Sequence, residues 1–279
     1  MPTFKITLAY DGTDFVGWQR QAAGVSIQGL LEGALRELDG RDVTVMGAGR
    51  TDAGVHALGQ VAAFAIERPL AADVVVRALN ARLPHTVRVL SAEEAPASFR
   101  ARADARSKTY RYRIWHGDVV SPFERRFVWH VPGPLDVEAM RTAAQLLEGL
   151  HDFAAFQTAG SDAQTTVREI YSLRIADCRL LNHCENQQSI SNQQSAIINV
   201  EITGSGFLRH MVRAIAGSLV EVGRGHHSPA WMADVLASRD RGQAGPTAPA
   251  RGLFLVSVAY GVVQSRFCLL YTSPSPRDS

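Results

Sequence analysis

Cysteine, lysine and long hydrophobic runs are all scarce in this chain of 279 residues. The three cysteines (Cys178, Cys184 and Cys268) are too few and too scattered for a disulfide framework. No stretch approaches the roughly 18 consecutive apolar residues that a membrane span requires. No basic segment followed by an apolar run opens the chain, as it would in a secretory signal. With 46% hydrophobic and 20% charged residues, the composition is that of an ordinary globular protein. We therefore expect a cytoplasmic protein that does not associate with membranes.

The basic residues are almost all arginines, since only Lys5 and Lys108 among the 29 basic residues are lysines. A GC-rich genome explains a preference for arginine, and phosphate recognition by the guanidinium group is the functional alternative. The formal net charge is only +2. Between Arg100 and Arg113, however, six basic residues accompany one acid, Asp104, which gives a local charge of +5. Codon usage explains the choice of arginine but not this clustering, which favours an anionic partner.

Hydrophobic periodicity predicts an α+β fold. Alternation with a period of two predicts strands over residues 4–10, 43–48, 60–66, 86–90, 108–115, 170–175, 197–202 and 253–258. Helical spacing predicts helices between Ser26 as N-cap and Gly40 as stop, and over residues 72–82, 136–147, 207–222 and 229–236. Because strands occur in adjacent pairs as well as singly, the sheet is expected to be mixed or antiparallel.

Two segments differ in composition from the rest of the chain. Residues 178–195 are polar and contain the sequence NQQS twice, which predicts a solvated loop inserted into a hairpin. Its Cys178, His183 and Cys184 fit no standard zinc spacing. Residues 261–279 predict a tail that is disordered or extraneous to the domain.

A glycine-rich segment holds the first candidate for chemistry. Residues 47–57 (GAGRTDAGVHA) place Arg50 and Asp52 among glycines that allow tight turns and close approach of a ligand. Asp52 is either a turn-forming residue or a catalytic carboxylate, and this pattern alone does not decide between them. The segment lacks both GxGxxG and a lysine followed by Ser or Thr, which argues against a nucleotide-phosphate loop. His56 in isolation is more typical of a structural histidine than of a ligand.

A second candidate lies where a predicted strand turns into the long apolar helix. Arg209 and Arg213 stand four residues apart in the segment 204–213. An arginine in an apolar helix is costly unless it is paired, so Arg213 is a candidate partner for a buried carboxylate, of which Asp52 is the obvious one. The alternative is that Arg213 reaches solvent along its aliphatic stem.

Five motifs in order now resemble one known family, that of tRNA pseudouridine synthase A. They lie at residues 10–21 (YDGTDFVGWQRQ), 49–57 (GRTDAGVHA), 108–112 (KTYRY), 207–213 (FLRHMVR) and 248–253 (APARGL). Together they extend over nearly the whole chain between residues 4 and 260. The polar insertion and the tail depart from the family pattern without touching a motif.

The resemblance carried by these motifs implies a cofactor-independent isomerase that converts uridine to pseudouridine at positions 38, 39 and 40 in the anticodon stem-loop of tRNA. It also implies two similar α/β halves around a central, mostly antiparallel sheet flanked by helices, and a homodimer that shares the bound tRNA. On this basis residues 1–105 and 106–260 are the expected halves, and no metal is expected.

Residue by residue, the resemblance makes Asp52 the nucleophile, Arg213 its ion-pair partner and Tyr110 the residue that stacks on the uracil and takes part in proton transfer at C5. Whether Asp52 attacks C6, attacks C1′ or removes a proton from the sugar stays open. Arg50 matches the position whose side chain replaces the flipped base. Four further residues are expected to contact the RNA: Arg102, Arg106, Arg209 and His210.

Two other functions remain as alternatives at this point. One is a catalytically inactive tRNA-binding protein of the same fold, although such a protein would have no need for Asp52, Tyr110 and Arg213 together. The other is a metal-dependent hydrolase that uses Asp52, His56, His226 and His227.

Overall fold

The computed structural model describes residues 1–158, 160, 164–179 and 196–261. Within this part of the chain, ten strands form one sheet. They are β1 (Thr3–Tyr10), β2 (Met46–Gly47), β3 (His56–Ala65), β4 (Val87–Ala95), β5 (Ala105–His116), β6 (Trp129–Val131), β7 (Gly149–Asp152), β8 (Val167–Arg179), β9 (Ala196–Gly204) and β10 (Leu253–Tyr260). The same part contains the helices α1 (Ile27–Asp39), α2 (Ala72–Asn80), α3 (Val137–Gln145), α4 (Met211–Gly223) and α5 (Trp231–Ser238), with 3₁₀ turns at Ala154–Phe156, Arg241–Gln243 and Ala250–Gly252.

The sheet confirms the predicted α+β fold with a mostly antiparallel sheet. Its strand order is β4-β1-β3-β10-β5-β9-β8-β7, with β2 added to β3 and β6 added to β5. Among the described strands, only the pairs β3–β10 and β5–β6 are parallel. β10, the last described strand, lies between β3 and β5 and therefore joins the two parts of the chain in one continuous sheet. The division into halves at residues 105 and 106 stays a prediction.

Helix α1 follows the sequence prediction closely. The Ser26 hydroxyl accepts a hydrogen bond from the backbone N–H of Gly29, and Gly40 ends the helix with φ of 78°. A glycine is favoured there because this left-handed conformation strains residues that carry a Cβ. The apolar face of the helix buries Leu31 and Leu35 completely in the core, and burial of a leucine contributes about 1.5–3 kcal/mol.

Helix α4 begins later than the predicted residue 207, at Met211. His210 adopts φ of 62°, in the left-handed region, and so cannot continue a right-handed helix. The helix is buried on nearly all sides, as expected for a segment that is apolar around its whole circumference. A Cβ on Gly217 would lie only 1.7 Å from the Pro246 carbonyl oxygen, so the loop before β10 passes directly against α4.

Four further strands differ from what the sequence predicts. The strand predicted over 43–48 shrinks to Met46–Gly47, which pairs with two residues of β3. The short strands β6 and β7 were not predicted, because three or four residues carry too little periodicity to be recognised. β8 extends to Arg179 and thus includes the first two residues of the predicted insertion; residues 180–195 and the predicted tail from residue 262 lie outside the described residues. In the part of the chain that the structure describes, no helix is long and apolar enough to cross a membrane.

Candidate active site

A cavity of about 1210 Å³ opens where all five sequence motifs meet. Its walls come from the segment after β1, the loop around Asp52, strand β5 and the segment that leads into α4. Of the residues proposed from the sequence, it is lined by Arg50, Asp52, Arg102, Tyr110, Arg209, His210 and Arg213. Arg106 is exposed and does not line the cavity.

The loop that carries Asp52 is held in place by the first motif. The hydroxyl oxygens of Thr51 and Tyr10 are 2.8 Å apart and form a buried hydrogen bond. The backbone N–H of Trp18 donates to the Thr51 carbonyl. Gly17 has φ of 108°, and a Cβ there would lie 2.6 Å from the same carbonyl oxygen. Only glycine therefore fits at position 17, and the loop is fixed immediately before Asp52.

Asp52 forms an ion pair with Arg213, as the sequence predicted. The distance from Arg213 Nη1 to Asp52 Oδ2 is 3.3 Å, although the residues are 161 positions apart in the chain. The Asp52 side chain is 31% exposed and that of Arg213 is 15% exposed, so the carboxylate faces the cavity while its partner lies deeper. Arg213 Nε also donates to the Ala248 carbonyl at 2.7 Å, which fixes the plane of the guanidinium.

The His210 imidazole is the second group on the Asp52 carboxylate. His210 Nε2 lies 3.4 Å from Asp52 Oδ2, and Nδ1 lies 3.0 Å from the Thr158 hydroxyl oxygen. Burial lowers the pKa of His210, and the negative charge of Asp52 opposes this shift. The neutral tautomer with a proton on Nε2 satisfies both contacts by donating to Asp52 and accepting from Thr158. The left-handed backbone of His210 is the kind of strain that is retained at functional sites.

Tyr110 forms the apolar floor of the cavity. Its side chain is 8% exposed, and its ring packs edge-on against Phe207 with centroids 5.2 Å apart. Burial, together with Tyr10 and Asp52, raises the pKa of the Tyr110 phenol well above its usual range. Within the described residues the hydroxyl has no hydrogen-bond partner, so it is a protonated donor that is open to a ligand.

The charges that line the cavity are predominantly positive. Asp52 is the acid among the described lining residues; the basic ones are Arg20, Arg50, Arg102, Lys108, Arg168, Arg209 and Arg213. Two arginines of the predicted 100–113 cluster are neutralised elsewhere, since Arg111 pairs with Glu201 at 2.8 Å and Arg113 with Glu124 at 2.9 Å. The cavity thus draws its charge from several segments rather than from that cluster alone.

The last motif supports the site through its backbone, a role that sequence reasoning did not identify. The Ala248 carbonyl accepts from Arg213, and the Arg251 carbonyl is 3.2 Å from His56 Nε2. His56 Nδ1 in turn accepts from the Gly12 N–H at 3.0 Å. His56 is therefore a structural histidine that connects the Asp52 loop to two other motifs, and burial lowers its pKa. Backbone carbonyls leave no residue-type signal, so no sequence pattern could have identified them.

The histidines of the hydrolase alternative have other partners. His226 Nδ1 is 2.7 Å from Glu221 Oε2, and the His227 ring stacks on Trp231 with centroids 3.8 Å apart. In the described ranges, no group of three or more His, Cys, Asp or Glu side chains is arranged to hold a metal ion.

Comparison with known proteins agrees with this geometry. The family model for tRNA pseudouridine synthase matches residues 6–103 and 143–261, so Tyr110 lies between the two matched segments. The chain is 46% identical over 260 residues to tRNA pseudouridine synthase A of Myxococcus xanthus, covering 93% of this chain and 92% of that protein. Its identity to tRNA pseudouridine synthase A of Pelobacter propionicus is 45%, covering 93% and 100% of the two chains. The chain belongs to the tRNA pseudouridine synthase family.

A solved structure of an archaeal box H/ACA sRNP Nop10-Cbf5 complex is also similar, at 12% identity, with a TM-score of 0.29 and coverage of 86% of this chain and 59% of that one. At this level the similarity adds nothing to the assignment.

Proposed function

We propose that this protein isomerises uridine to pseudouridine at positions 38, 39 and 40 in the anticodon stem-loop of tRNAs. The observation that carries the proposal is the Asp52–Arg213 ion pair at the edge of a basic cavity, in a chain that belongs to this family. In the reaction the N1–C1′ bond breaks, the uracil turns, and a C5–C1′ bond forms. The proton on C5 leaves and N1 gains one, so the sum is an isomerisation that needs no cofactor.

Asp52 is the proposed nucleophile. A carboxylate that forms a covalent bond must be ionised and must have an oxygen directed at the substrate. Arg213 and His210 both contact Oδ2, which stabilises the charge and leaves Oδ1 for the substrate. The choice between attack on C6, attack on C1′ and removal of a sugar proton remains open.

Tyr110 is proposed to stack on the uracil and to take part in proton transfer at C5. The raised pKa of its phenol means that the hydroxyl enters the reaction as a hydrogen-bond donor. The protonated hydroxyl can accept the C5 proton only if it releases its own proton in the same step. The edge-on contact with Phe207 fixes the ring plane against which the base packs.

The target uridine must leave the helical stem before it reaches Asp52, at a cost of a few kcal/mol. Arg50 is exposed at the cavity, two residues before Asp52, and is proposed to occupy the space that the base leaves. Arg102, Arg106, Arg209 and His210 are proposed to contact the RNA; His210 does so in addition to its contact with Asp52. Phosphate contacts of this kind fix the register of the RNA rather than its sequence.

The assembly is proposed to be a homodimer in the cytoplasm, with one tRNA bound across both subunits. One feature consistent with a partner is that β7, at the end of the sheet, leaves Leu150 67% exposed. Sedimentation of the purified protein at several concentrations tests this part, and a monomer throughout the range would contradict it.

The deciding experiment is a chemical map of pseudouridine in unmodified tRNA that has been incubated with purified protein. We expect product at positions 38–40, unaffected by excess chelator. Binding of tRNA without product would favour the inactive binding protein instead, and a chelator-sensitive activity would favour the hydrolase.

A further inference from the structure

Lys108 is one of only two lysines in the chain, and it lies at the cavity. It precedes Tyr110 by two residues on β5, so that both side chains project from the same face of the sheet. Both line the cavity. Lys108 Nζ lies 3.2 Å from the point that a Cβ on Gly49 would occupy. The ammonium group therefore packs against the backbone of the loop that carries Asp52.

No group in the described residues neutralises Lys108. It makes no hydrogen bond or ion pair there, and its charged neighbours are Arg102 and Arg168, which are both positive. Lys5, by contrast, forms an ion pair of 2.6 Å with Glu93. Three cations therefore converge on one side of the cavity without an acid among them.

This arrangement is unfavourable for the free protein. Burial lowers the pKa of Lys108 to about 8, and repulsion by the two arginines adds to the effect. A buried charge without a partner is costly, and such local instability is commonly retained where function requires it. An anion delivered by a ligand would remove the cost.

The choice of lysine at this position is informative in a chain that otherwise uses arginine 27 times out of 29. An ammonium is compact, whereas a guanidinium is a wide planar fork. Nζ lies 3.2 Å from the point that a Cβ on Gly49 would occupy, so the ammonium group fills space that the glycine leaves free. The position thus suits a point charge directed at an anion that lies close to the Asp52 loop.

We propose that Lys108, together with Arg102 and Arg168, binds a phosphodiester group of the RNA adjacent to the target uridine. The inference rests on the proposed function, because it takes the polyanion in the cavity to be RNA. Lys108 is then a positioning residue: it holds the sugar–phosphate backbone so that the uridine lies between Asp52 and Tyr110, which line the same cavity.

The test measures the affinity for unmodified tRNA of the Asp52→Asn protein, in which no product forms, with and without Lys108→Gln. We expect Lys108→Gln to weaken binding about tenfold at low salt. It should also reduce the slope of log affinity against log salt by about 0.7–0.9, the value for one lost phosphate contact. Lys5→Gln, which changes the other lysine, is the matched control and should alter neither quantity.

A second readout separates binding from a structural role. Because Lys108→Gln removes a charge that is partly buried and is repelled by two arginines, the melting temperature of the free protein should stay unchanged or rise. A lysine needed for folding would lower it. If Lys108→Gln does not fold, the salt slope can be measured with Arg102→Gln instead, because Arg102 is the exposed one of the three cations.

The pH dependence gives a third readout. Between pH 7 and pH 9 the affinity should fall by up to about tenfold as Lys108, with a pKa of about 8, loses its proton. Arg102 and Arg168 stay charged, Tyr110 keeps its proton because its pKa is raised, and His210 is neutral because its pKa is lowered. The Lys108→Gln variant should therefore lose this dependence.

An unchanged salt slope in folded Lys108→Gln, or a pH dependence that survives the change, would overturn the phosphate site. The proposed function fails separately, if the wild-type protein binds tRNA in a Lys108-dependent way yet forms no pseudouridine.

Discussion

Replacing Arg213 by alanine removes two contacts that hold the proposed nucleophile in place. The variant loses the ion pair to Asp52 at 3.3 Å and the hydrogen bond to the Ala248 carbonyl at 2.7 Å. Removing one partner of a fully buried ion pair costs about 3–5 kcal/mol, but the Asp52 side chain is 31% exposed and water screens part of its charge. A hydrogen bond from a charged donor adds about 1.5–3 kcal/mol when fully buried.

We therefore expect Arg213→Ala to lower the free energy of unfolding by about 2–4 kcal/mol, well below the sum of the two buried limits. At about 2.1 cal/mol/K of unfolding entropy per residue, this corresponds in a protein of this size to a fall in melting temperature of about 3–7 °C. Arg224→Ala is the matched control, since Arg224 lies at the end of the same helix and pairs with Glu221 at 3.6 Å near the surface. A surface pair contributes only about 0–1 kcal/mol.

The assay is thermal unfolding of both variants beside the wild type, followed by single-turnover pseudouridine formation at a temperature where all three are folded. We expect Arg213→Ala to lose both stability and turnover and Arg224→Ala to keep both. A folded Arg213→Ala protein with wild-type turnover would refute the reasoning that the pair prepares Asp52 for reaction.

Three further outcomes are expected. Burial lowers the pKa of His56, so the unfolded state binds a proton more readily than the folded state. The free energy of unfolding should therefore fall by up to about 1.4 kcal/mol for each pH unit below about pH 6.5. In urea titrations, His56→Gln should make the free energy of unfolding less dependent on pH. Gly217→Ala places a Cβ 1.7 Å from the Pro246 carbonyl oxygen and should cost about 1–3 kcal/mol by thermal melting, a stable variant contradicting the packing. Tyr110→Phe keeps the ring but removes the hydroxyl, so tRNA affinity should persist while single-turnover rates fall; unchanged rates would leave Tyr110 a stacking role alone.

Local signals in the sequence predicted the elements with strong periodicity or clear caps. Helix α1 begins after Ser26 and ends at Gly40 as expected, because both caps have a recognisable residue type. Helix α4 starts later than its apolar pattern predicts, because the left-handed backbone of His210 interrupts a pattern that looks continuous. A single residue held in that conformation by tertiary contacts leaves no periodic signal.

The candidate site was predicted in part. The pairing of Asp52 with Arg213 followed from the cost of an unpaired arginine in an apolar helix, and the structure shows it. The sequence does not predict the contact between His210 and Asp52, because that contact depends on how the turn before α4 folds. Arg168 could not be singled out from the other arginines of the chain, and it reaches the cavity only because of where β8 lies in the sheet.

The most direct test of the central claim is single-turnover conversion of unmodified tRNA by Asp52→Asn protein. Asparagine keeps the shape of the side chain but removes the charge. We therefore expect tRNA to bind within about threefold of wild type, since phosphate contacts dominate affinity, while no pseudouridine forms. Measurable product from this variant, with the wild-type protein active in the same assay, would contradict the assignment of Asp52 as the catalytic carboxylate.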